Sequence, residues 1–155
     1  MKIVVLVKYV PEATATWSFA PDLTLDRDAA GGILSELDEY AVEQAVRLVE
    51  GGLDAEVVCL TVGPAGAVDA LRKALAMGAD SAVHVVDDAI HGSDAAATSL
   101  VLAEAIRRIG TPDLVITGMS STDGIMGVVP AMLAERLGLP QVTYASELTV
   151  GDGTV

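Results

Sequence analysis

The chain has 155 residues, of which 52% are hydrophobic and only 3% aromatic, and it carries a formal net charge of −13. This length suits one domain with a sizeable core. A core so poor in aromatics must be built from Val, Ile, Leu and Ala, as in buried parallel sheets. The acidic charge argues against nucleic acid as a direct partner, because phosphate backbones are bound by clustered Lys and Arg.

Cysteine usage and hydropathy favour a soluble protein in a reducing, cytoplasmic setting. Cys59 is the single cysteine, so no internal disulfide can form, and its apolar neighbours predict a buried thiol. The first residues faintly resemble a signal peptide, but Lys8 makes the apolar stretch too short for one. Because no uncharged run is long and apolar enough to span a bilayer, direct membrane insertion is not expected.

Apolar, β-branched runs that end at turn-forming or charged residues predict five strands. These strands are, in chain order, Ile3–Val10, Glu56–Val62, Ser81–Val86, Asp113–Thr117 and Gln141–Leu148. A Gly151-Asp152-Gly153 turn then begins a hairpin. His84 alternates with valines in the third strand, and no second ligand residue lies at metal spacing to it, so no metal site is predicted.

Four helical patterns alternate with these strands. Ser35, followed three residues later by Asp38, forms an approximate capping box for a helix that ends at Gly51-Gly52. The other helices begin at Pro64, cover Asp94–Ile109 with Ser93 as the candidate N-cap, and cover Pro130–Leu137.

The alternation predicts an α/β fold, a doubly wound and mostly parallel five-stranded sheet with right-handed crossovers, in a single domain over residues 1–155. Glu12–Leu34 is too long for a simple connection and predicts a β-hairpin inserted after the first strand. In the common strand order, the first and fourth strands flank the switch point at which ligands bind. Lys8–Pro11 and Gly118–Pro130 would line that crevice, with Val62-Gly63-Pro64 beside it.

The loop Gly118–Pro130 carries the chemistry of an anion site. It follows an apolar strand, is spaced by glycines, and leads into a helix N-terminus, where free N–H groups and the helix dipole favour negative charge. Ser120, Ser121 and Thr122 can add hydroxyl groups, whereas Asp123 would be poor beside a phosphate and could instead accept from a hydroxyl or a loop amide. A plain connecting loop is the alternative interpretation.

Familiar catalytic signatures are missing from the sequence. The first strand is not followed by G-x-G-x-x-G, and neither a P-loop nor a G-x-S-x-G nucleophile motif occurs. No catalytic residue is therefore predicted, and a binding protein is favoured over a hydrolase or a metalloenzyme.

Four segments in register resemble the beta subunits of electron transfer flavoproteins. They are Lys2–Pro11 (KIVVLVKYVP), Asp38–Leu48 (DEYAVEQAVRL), Ala70–Asp80 (ALRKALAMGAD) and Pro112–Gln141, which contains P-D-L-V-I-x-G, S-T-D-G and L-A-E-x-L-G-L-P-Q. The form S-T-D-G-x-x-G-x-V-P is similar to that of actinobacterial members, which places the expected cytoplasm in a bacterium.

This resemblance implies a Rossmann-like nucleotide-binding domain in a heterodimer with an alpha subunit. Such proteins pass electrons from acyl-CoA and other primary dehydrogenases toward a quinone-linked oxidoreductase. FAD is held mainly by the alpha subunit, and the beta subunit binds a structural AMP or, in the bifurcating group, a second FAD. A free-standing ATP- or AMP-binding sensor similar to universal stress proteins is the alternative from another class.

The resemblance also implies cofactor-binding residues in this chain. Ser35 occupies a position at which a nucleotide-contacting Asn is common, and Val128 one at which Gln is usual. Leu6 and Val62 match positions that contact the nucleotide mainly through backbone, while Lys8 and Gly63 belong to the predicted crevice. The nucleotide loop maps onto Ser121, Thr122, Asp123, Gly124, Gly127, Val128 and Val129. Family chains continue past the length of this one, so the sequence resembles a C-terminally truncated member without the extension that embraces the alpha subunit.

Overall fold

The structure, a computed structural model, describes residues 1–151 and 153–155, except for the side chain of Asp28. Six strands occur among these residues: β1 Lys2–Leu6, β2 Tyr9–Val10, β3 Ile33–Leu34, β4 Glu56–Val62, β5 Ser81–Val85 and β6 Leu114–Thr117. The described residues also form five α-helices: α1 Arg27–Ala30, α2 Glu36–Glu50, α3 Val68–Ala76, α4 Ala95–Ile109 and α5 Val129–Leu137.

Four strands form the central parallel sheet in the order β5-β4-β1-β6. The predicted doubly wound α/β fold is confirmed, and β1 lies in the middle of the sheet as that strand order requires. The central sheet has four strands instead of the predicted five, since Gln141–Leu148 forms no strand. Val142 and Tyr144 are 84% and 86% exposed, so the β-branched and aromatic residues that suggested a strand have no core surface to cover.

The predicted first strand is interrupted before Tyr9. The amide of Lys8 donates to Asp38 Oδ2 instead of a neighbouring strand, and β2 then pairs antiparallel with β3. The β2–β3 pair closes the base of the predicted insertion, which contains a further antiparallel bridge between Phe19 and Leu25 and the short helix α1. The insertion is thus hairpin-like: its chain direction reverses between Phe19 and Leu25, and α1 follows before β3.

Alternate residues of the central strands build two separate core layers. Ile3, Val5 and Cys59 belong to the layer covered by α2 and α3, whereas Val4 and Leu60 belong to the layer covered by α4 and α5. This alternation follows from the two-residue repeat of a strand, and each face is filled by Val, Leu, Ile and Ala as the composition predicts. The predicted burial of Cys59 is confirmed, and burial raises the pKa of its thiol to about 11.

The helix predicted from Pro64 begins later, because Ala65–Ala67 form a 3-10 turn and α3 starts at Val68. The other helix ends lie close to the predicted positions, with one change of N-cap at α4. Asp94, not Ser93, is the N-cap, because the Asp94 carboxylate accepts from the amide of Ala97 at 2.8 Å. Gly138 ends α5 in the left-handed conformation, which suits a glycine. In the part of the chain that the structure describes, no helix has the length and apolar character needed to cross a membrane. The predicted turn includes Asp152, which lies outside the described residues; Gly151 and Thr154 on either side form a bridge.

Candidate functional site

The carboxyl ends of β1, β4 and β6 open on one edge of the sheet. Leu6, at the end of β1, lies opposite Leu60 of β4 and Thr117 of β6. The segments that follow these strands therefore emerge side by side, and ligands of doubly wound sheets bind at such an edge. Lys8 follows β1, and the loop from Gly118 to Val128 follows β6.

A buried carboxylate joins three chain segments at this edge. Asp123 Oδ1 accepts from Lys8 Nζ at 2.8 Å, and Asp123 Oδ2 accepts from Arg27 Nη2. The Asp123 side chain is only 1% exposed, whereas the side chains of Lys8 and Arg27 remain 40% and 30% exposed. Burial by itself would raise the pKa of Asp123, but hydrogen bonds and charge from Lys8, Arg27 and Ser121 outweigh it and lower that pKa below its ordinary value.

A second buried carboxylate, Asp38, holds the two strand ends together. It lies in the first turn of α2 and accepts from the backbone amide of Lys8 at 2.8 Å. A Cβ atom added to Gly118 would lie 2.2 Å from Asp38 Oδ1, so only glycine fits there. Burial raises the pKa of Asp38 to about 7. The backbone amides of Lys8 and Gly118 and the positive charge of Lys8 partly oppose this rise, and the negative charge of Asp123 adds to it.

Ser35, the N-cap of α2, is fully buried beside the same strand end. Its backbone amide donates to Lys8 O at 2.9 Å, but its hydroxyl has no hydrogen-bond partner among the described residues. The predicted capping box is wrong, because the carboxylate of Asp38 faces Lys8 and Gly118 instead of the amide of Ser35. A fully buried hydroxyl with no partner is uncommon in proteins and marks a place where a polar group of a ligand or water is expected.

The loop after β6 is partly fastened by its own side chains. The amide of Gly124 donates to Asp123 Oδ1 at 2.7 Å and, at 3.3 Å, to Ser121 Oγ. The Ser121 carbonyl accepts from the amide of Ile125 at 3.0 Å. Asp123 thus accepts from a loop amide, one of the roles expected of it, and the Gly124 amide is directed inward. Thr122 is half-buried within this turn.

The end of the loop keeps its amides available. Within the described residues, the backbone N–H groups of Gly127, Val128 and Val129 make no hydrogen bond to the chain. Gly127 has φ +63°, and Val128 is the N-cap of α5 without a side-chain cap. The first turn of a nine-residue helix therefore presents unpaired donors and the positive end of its dipole.

Two predicted residues lie one strand away from this cluster. Val62 ends β4, and Gly63 follows it. The Gly63 amide donates to Val85 O at 3.1 Å, and its carbonyl lies 3.2 Å from His84 Nε2. Both backbone groups of Gly63 are therefore engaged with β5, so among the predicted residues Lys8, Ser35, Ser121, Asp123 and Gly124 form the connected group.

Two residues of the cluster, Arg27 and Asp38, were absent from the predicted site, whereas Gly118 was expected to line the crevice without being named as a cofactor-binding residue. Arg27 lies in the insertion, where sequence spacing gives no sign of contact with a loop almost a hundred positions later. Asp38 was assigned to helix capping, and Gly118 was predicted to begin the candidate anion-binding loop. The signal available for Arg27 was its position as a cation inside a long, loop-rich insertion, since such insertions are often functional.

Two cavities lie away from this edge. The first, about 710 Å³, lies between α2, α3 and β3 and is lined by Glu36, Glu43, Asp69 and Lys73 among others. The second, about 410 Å³, lies beside the middle of α2 and residues 146–149. Neither includes a predicted site residue, and no three His, Cys, Asp or Glu side chains are grouped for a metal anywhere in the described ranges.

Comparison with known proteins identifies related sequences. The Electron transfer flavoprotein domain profile matches residues 22–155. The Electron transfer flavoprotein subunit beta of Mycobacterium leprae is 48% identical, over 99% of this chain and 59% of the relative. Protein FixA of Azorhizobium caulinodans is 41% identical, over 96% of this chain and 54% of the relative.

A third relative is named as part of a reductase complex. The Caffeyl-CoA reductase-Etf complex subunit CarD of Acetobacterium woodii is 36% identical, over 98% of this chain and 58% of the relative. In each alignment nearly all of this chain is matched, whereas the chain spans less than two thirds of the length of the relatives.

Proposed function

The chain belongs to the electron transfer flavoprotein family, as the resemblance predicted, and we propose that it is the nucleotide-binding domain of a beta subunit with AMP at the edge formed by β1, β4 and β6. The observation that carries this proposal is the arrangement at that edge. Two cations on one buried carboxylate, an orphaned buried hydroxyl and the unbonded amides of a helix N-terminus belong to the segments that follow β1 and β6 or pack against the end of β1.

The residues present fit a phosphorylated nucleoside. The amides of Gly127, Val128 and Val129 suit a phosphate, because helix N-termini bind anions through N–H groups and the dipole. The unpaired hydroxyl of Ser35 suits a hydroxyl or a ring nitrogen of the ligand. A net charge of −13 would otherwise repel an anion, so local positive charge is required for such a site.

Within the heterodimer, AMP would have a structural role. A ligand that binds only the folded state stabilises it by mass action. FAD, held chiefly by the alpha subunit, supplies the redox chemistry, and no residue of this chain is assigned a catalytic role. The proposed partners are the alpha subunit, acyl-CoA and related dehydrogenases as electron donors, and a quinone-linked oxidoreductase as acceptor.

A second FAD at the same edge is the second candidate. It is favoured by the 36% identity to a subunit named for a caffeyl-CoA reductase-Etf complex. The same free amides would then face the diphosphate of the flavin nucleotide, so the two candidates differ in the ligand and not in the position of the site.

Release and rebinding of the nucleotide test both candidates. The purified chain is denatured, the supernatant is analysed by mass spectrometry, and the refolded chain is heated with and without added AMP. We expect AMP in the supernatant and a higher Tm with AMP. Release of FAD and a yellow protein would favour the second candidate. Neither nucleotide in the supernatant, together with an unchanged Tm for AMP and FAD, would contradict the proposal.

A further inference from the structure

Arg27 is a cation at this edge that the predicted site does not include. It lies in α1, within the insertion, and its guanidinium reaches the carboxylate of Asp123 across 96 positions of sequence. Lys8 reaches the other oxygen of the same carboxylate. The two cations come from different segments and meet on one buried anion.

The charges of this group do not balance. Lys8 and Arg27 contribute two positive charges and Asp123 one negative charge, which leaves one positive charge in surplus while the neighbouring Asp38, whose pKa is raised to about 7, is protonated. Both cations are more exposed than the carboxylate between them, so solvent reaches the cations and not Asp123. Nine Lys and Arg residues occur in the whole chain, which makes two of them on one carboxylate a marked concentration of positive charge.

Arginine is well suited to a phosphate at such a place. Its planar guanidinium has five N–H donors in a fixed fork, so one donor can hold Asp123 while others face a phosphate oxygen. The buried carboxylate would then orient the guanidinium, much as a hydrogen-bonded partner orients a binding side chain. The Ser121 hydroxyl, 3.3 Å from Lys8 Nζ, connects this group to the loop that leads to the free amides before α5.

We propose that Arg27 is a phosphate-binding residue of the nucleotide site, held in position by Asp123 and acting together with Lys8. This inference rests on the proposed nucleotide binding and adds a residue and a ligand group to it. The competing explanation is that Arg27 only ties the insertion to the loop after β6. In that case the loss of Arg27 would loosen the site for every ligand, with or without a phosphate.

The test compares AMP with adenosine, which lacks the phosphate. Their affinities for the full 155-residue chain are measured by isothermal titration calorimetry in wild type, Arg27→Gln and Arg27→Lys. We expect Arg27→Gln to weaken AMP binding about 10- to 100-fold, the usual effect of losing a charged hydrogen bond, and to leave adenosine affinity unchanged. Arg27→Lys retains the charge but not the fork, so its AMP affinity should be intermediate.

A matched control is Arg72→Gln, which removes an exposed guanidinium paired with Asp69 on α3, and its AMP affinity should equal that of wild type. If Arg27→Gln unfolds, the comparison of wild type with Arg27→Lys still tests the role of Arg27. Arg27→Lys should then bind AMP more weakly than wild type with an unchanged adenosine affinity, and in both proteins the AMP affinity should fall with added salt more steeply than the adenosine affinity.

The outcomes separate the two proposals. Equal losses of AMP and adenosine affinity in the Arg27 variants, or an unchanged AMP affinity in Arg27→Gln, would overturn the role of Arg27 while leaving nucleotide binding intact. A wild-type chain that binds neither AMP nor FAD would overturn the proposed function and this inference together.

Discussion

The two longest helices, α2 and α4, both begin at a residue type that favours helix N-termini, yet their first turns are bonded differently. At α4, the exposed Asp94 carboxylate accepts from the amide of Ala97, so the helix caps itself. At α2, the hydroxyl of Ser35 caps nothing, and the carboxylate of Asp38 binds the amide of Lys8 outside the helix.

The difference shows what the first turn of α2 is used for. Its polar groups lie at the edge where β1 and β6 end, and they hold the segments that carry Lys8 and Gly118. Among the described residues, the side-chain cap of α4 stays within that helix, and the carbonyl of Ala96 in its first turn accepts from Arg136 Nη2 of α5 at 3.2 Å. Ser35 and Asp38 do not make the local capping hydrogen bonds that their positions allow, and this departure marks the candidate site more clearly than the loop sequence does.

The pH dependence of stability should show the largest difference between the two first turns. Between pH about 4 and about 7, native Asp38 keeps a proton that the unfolded chain has lost, because its pKa is raised to about 7. The native state then binds more protons, so this group lowers the free energy of unfolding as pH rises through that window, by at most about 4 kcal/mol.

Asp38→Asn isolates this contribution, because Asn stays neutral and can still accept from Lys8. Urea titrations at several pH values give the free energy of unfolding of wild type and of Asp38→Asn. The wild-type value minus the Asp38→Asn value should fall from pH 4 to pH 7 and stay constant below and above that range. Glu43→Gln, which removes an exposed carboxylate of the same helix, is the control and should show no such slope. If the difference in the free energy of unfolding between wild type and Asp38→Asn does not change with pH, Asp38 titrates in the folded protein as it does in the unfolded chain.

Gly118→Ala should give the next largest effect. The new Cβ would lie 2.2 Å from Asp38 Oδ1 and 3.1 Å from the backbone carbonyl of Leu37, so the loop or α2 must move. Overpacking of this kind costs about 1 to 3 kcal/mol in the free energy of unfolding, measured by urea denaturation. Gly66→Ala is the control, since its Cβ would make only an ordinary contact, 3.6 Å from the hydroxyl of Tyr9. Equal stability of both variants would show that the α2–loop contact is loose.

The fold could be predicted in large part because it follows from local patterns. The strand Glu56–Val62 was predicted with its observed ends, and the order of alternating elements implied the parallel sheet. The failures have physical causes. Gln141–Leu148 has strand-forming residues but no surface to cover, and β1 ends early because Lys8 turns to a side chain of α2.

The candidate site could be predicted where it follows from one segment of sequence or from the strand order. The loop Gly118–Pro130 was predicted from its glycines and its position before a helix, and Lys8 was placed beside it because strands one and four were expected to be neighbours. The contacts that Asp38 and Arg27 make there depend on tertiary structure, because each joins segments 30 or more residues apart. Asp38 was misplaced for a specific reason: its spacing from Ser35 matches a capping box, and the alternative partner is invisible in sequence.

Asp94→Ala tests the self-capped first turn directly. The substitution removes the acceptor for the Ala97 amide at an exposed helix end, which typically costs about 1 kcal/mol in the free energy of unfolding. Urea denaturation measures the loss, and Asp94→Asn is the control because it keeps an acceptor at the N-cap. AMP affinity should not change in either variant, since α4 contributes no residue to the site. A loss below the error of the measurement would show that water replaces this cap at no cost.

Ser35→Ala should have the smallest effect on stability, although it removes a residue of the same capping class. The Ser35 hydroxyl is buried without a partner, so its removal breaks no hydrogen bond and relieves the cost of an unsatisfied polar group. We expect the free energy of unfolding to change by less than about 0.5 kcal/mol, or to rise, whereas AMP affinity should fall if the hydroxyl faces the ligand. A loss as large as that of Asp94→Ala would mean that Ser35 caps α2 after all, and the contrast between the two helices would then disappear.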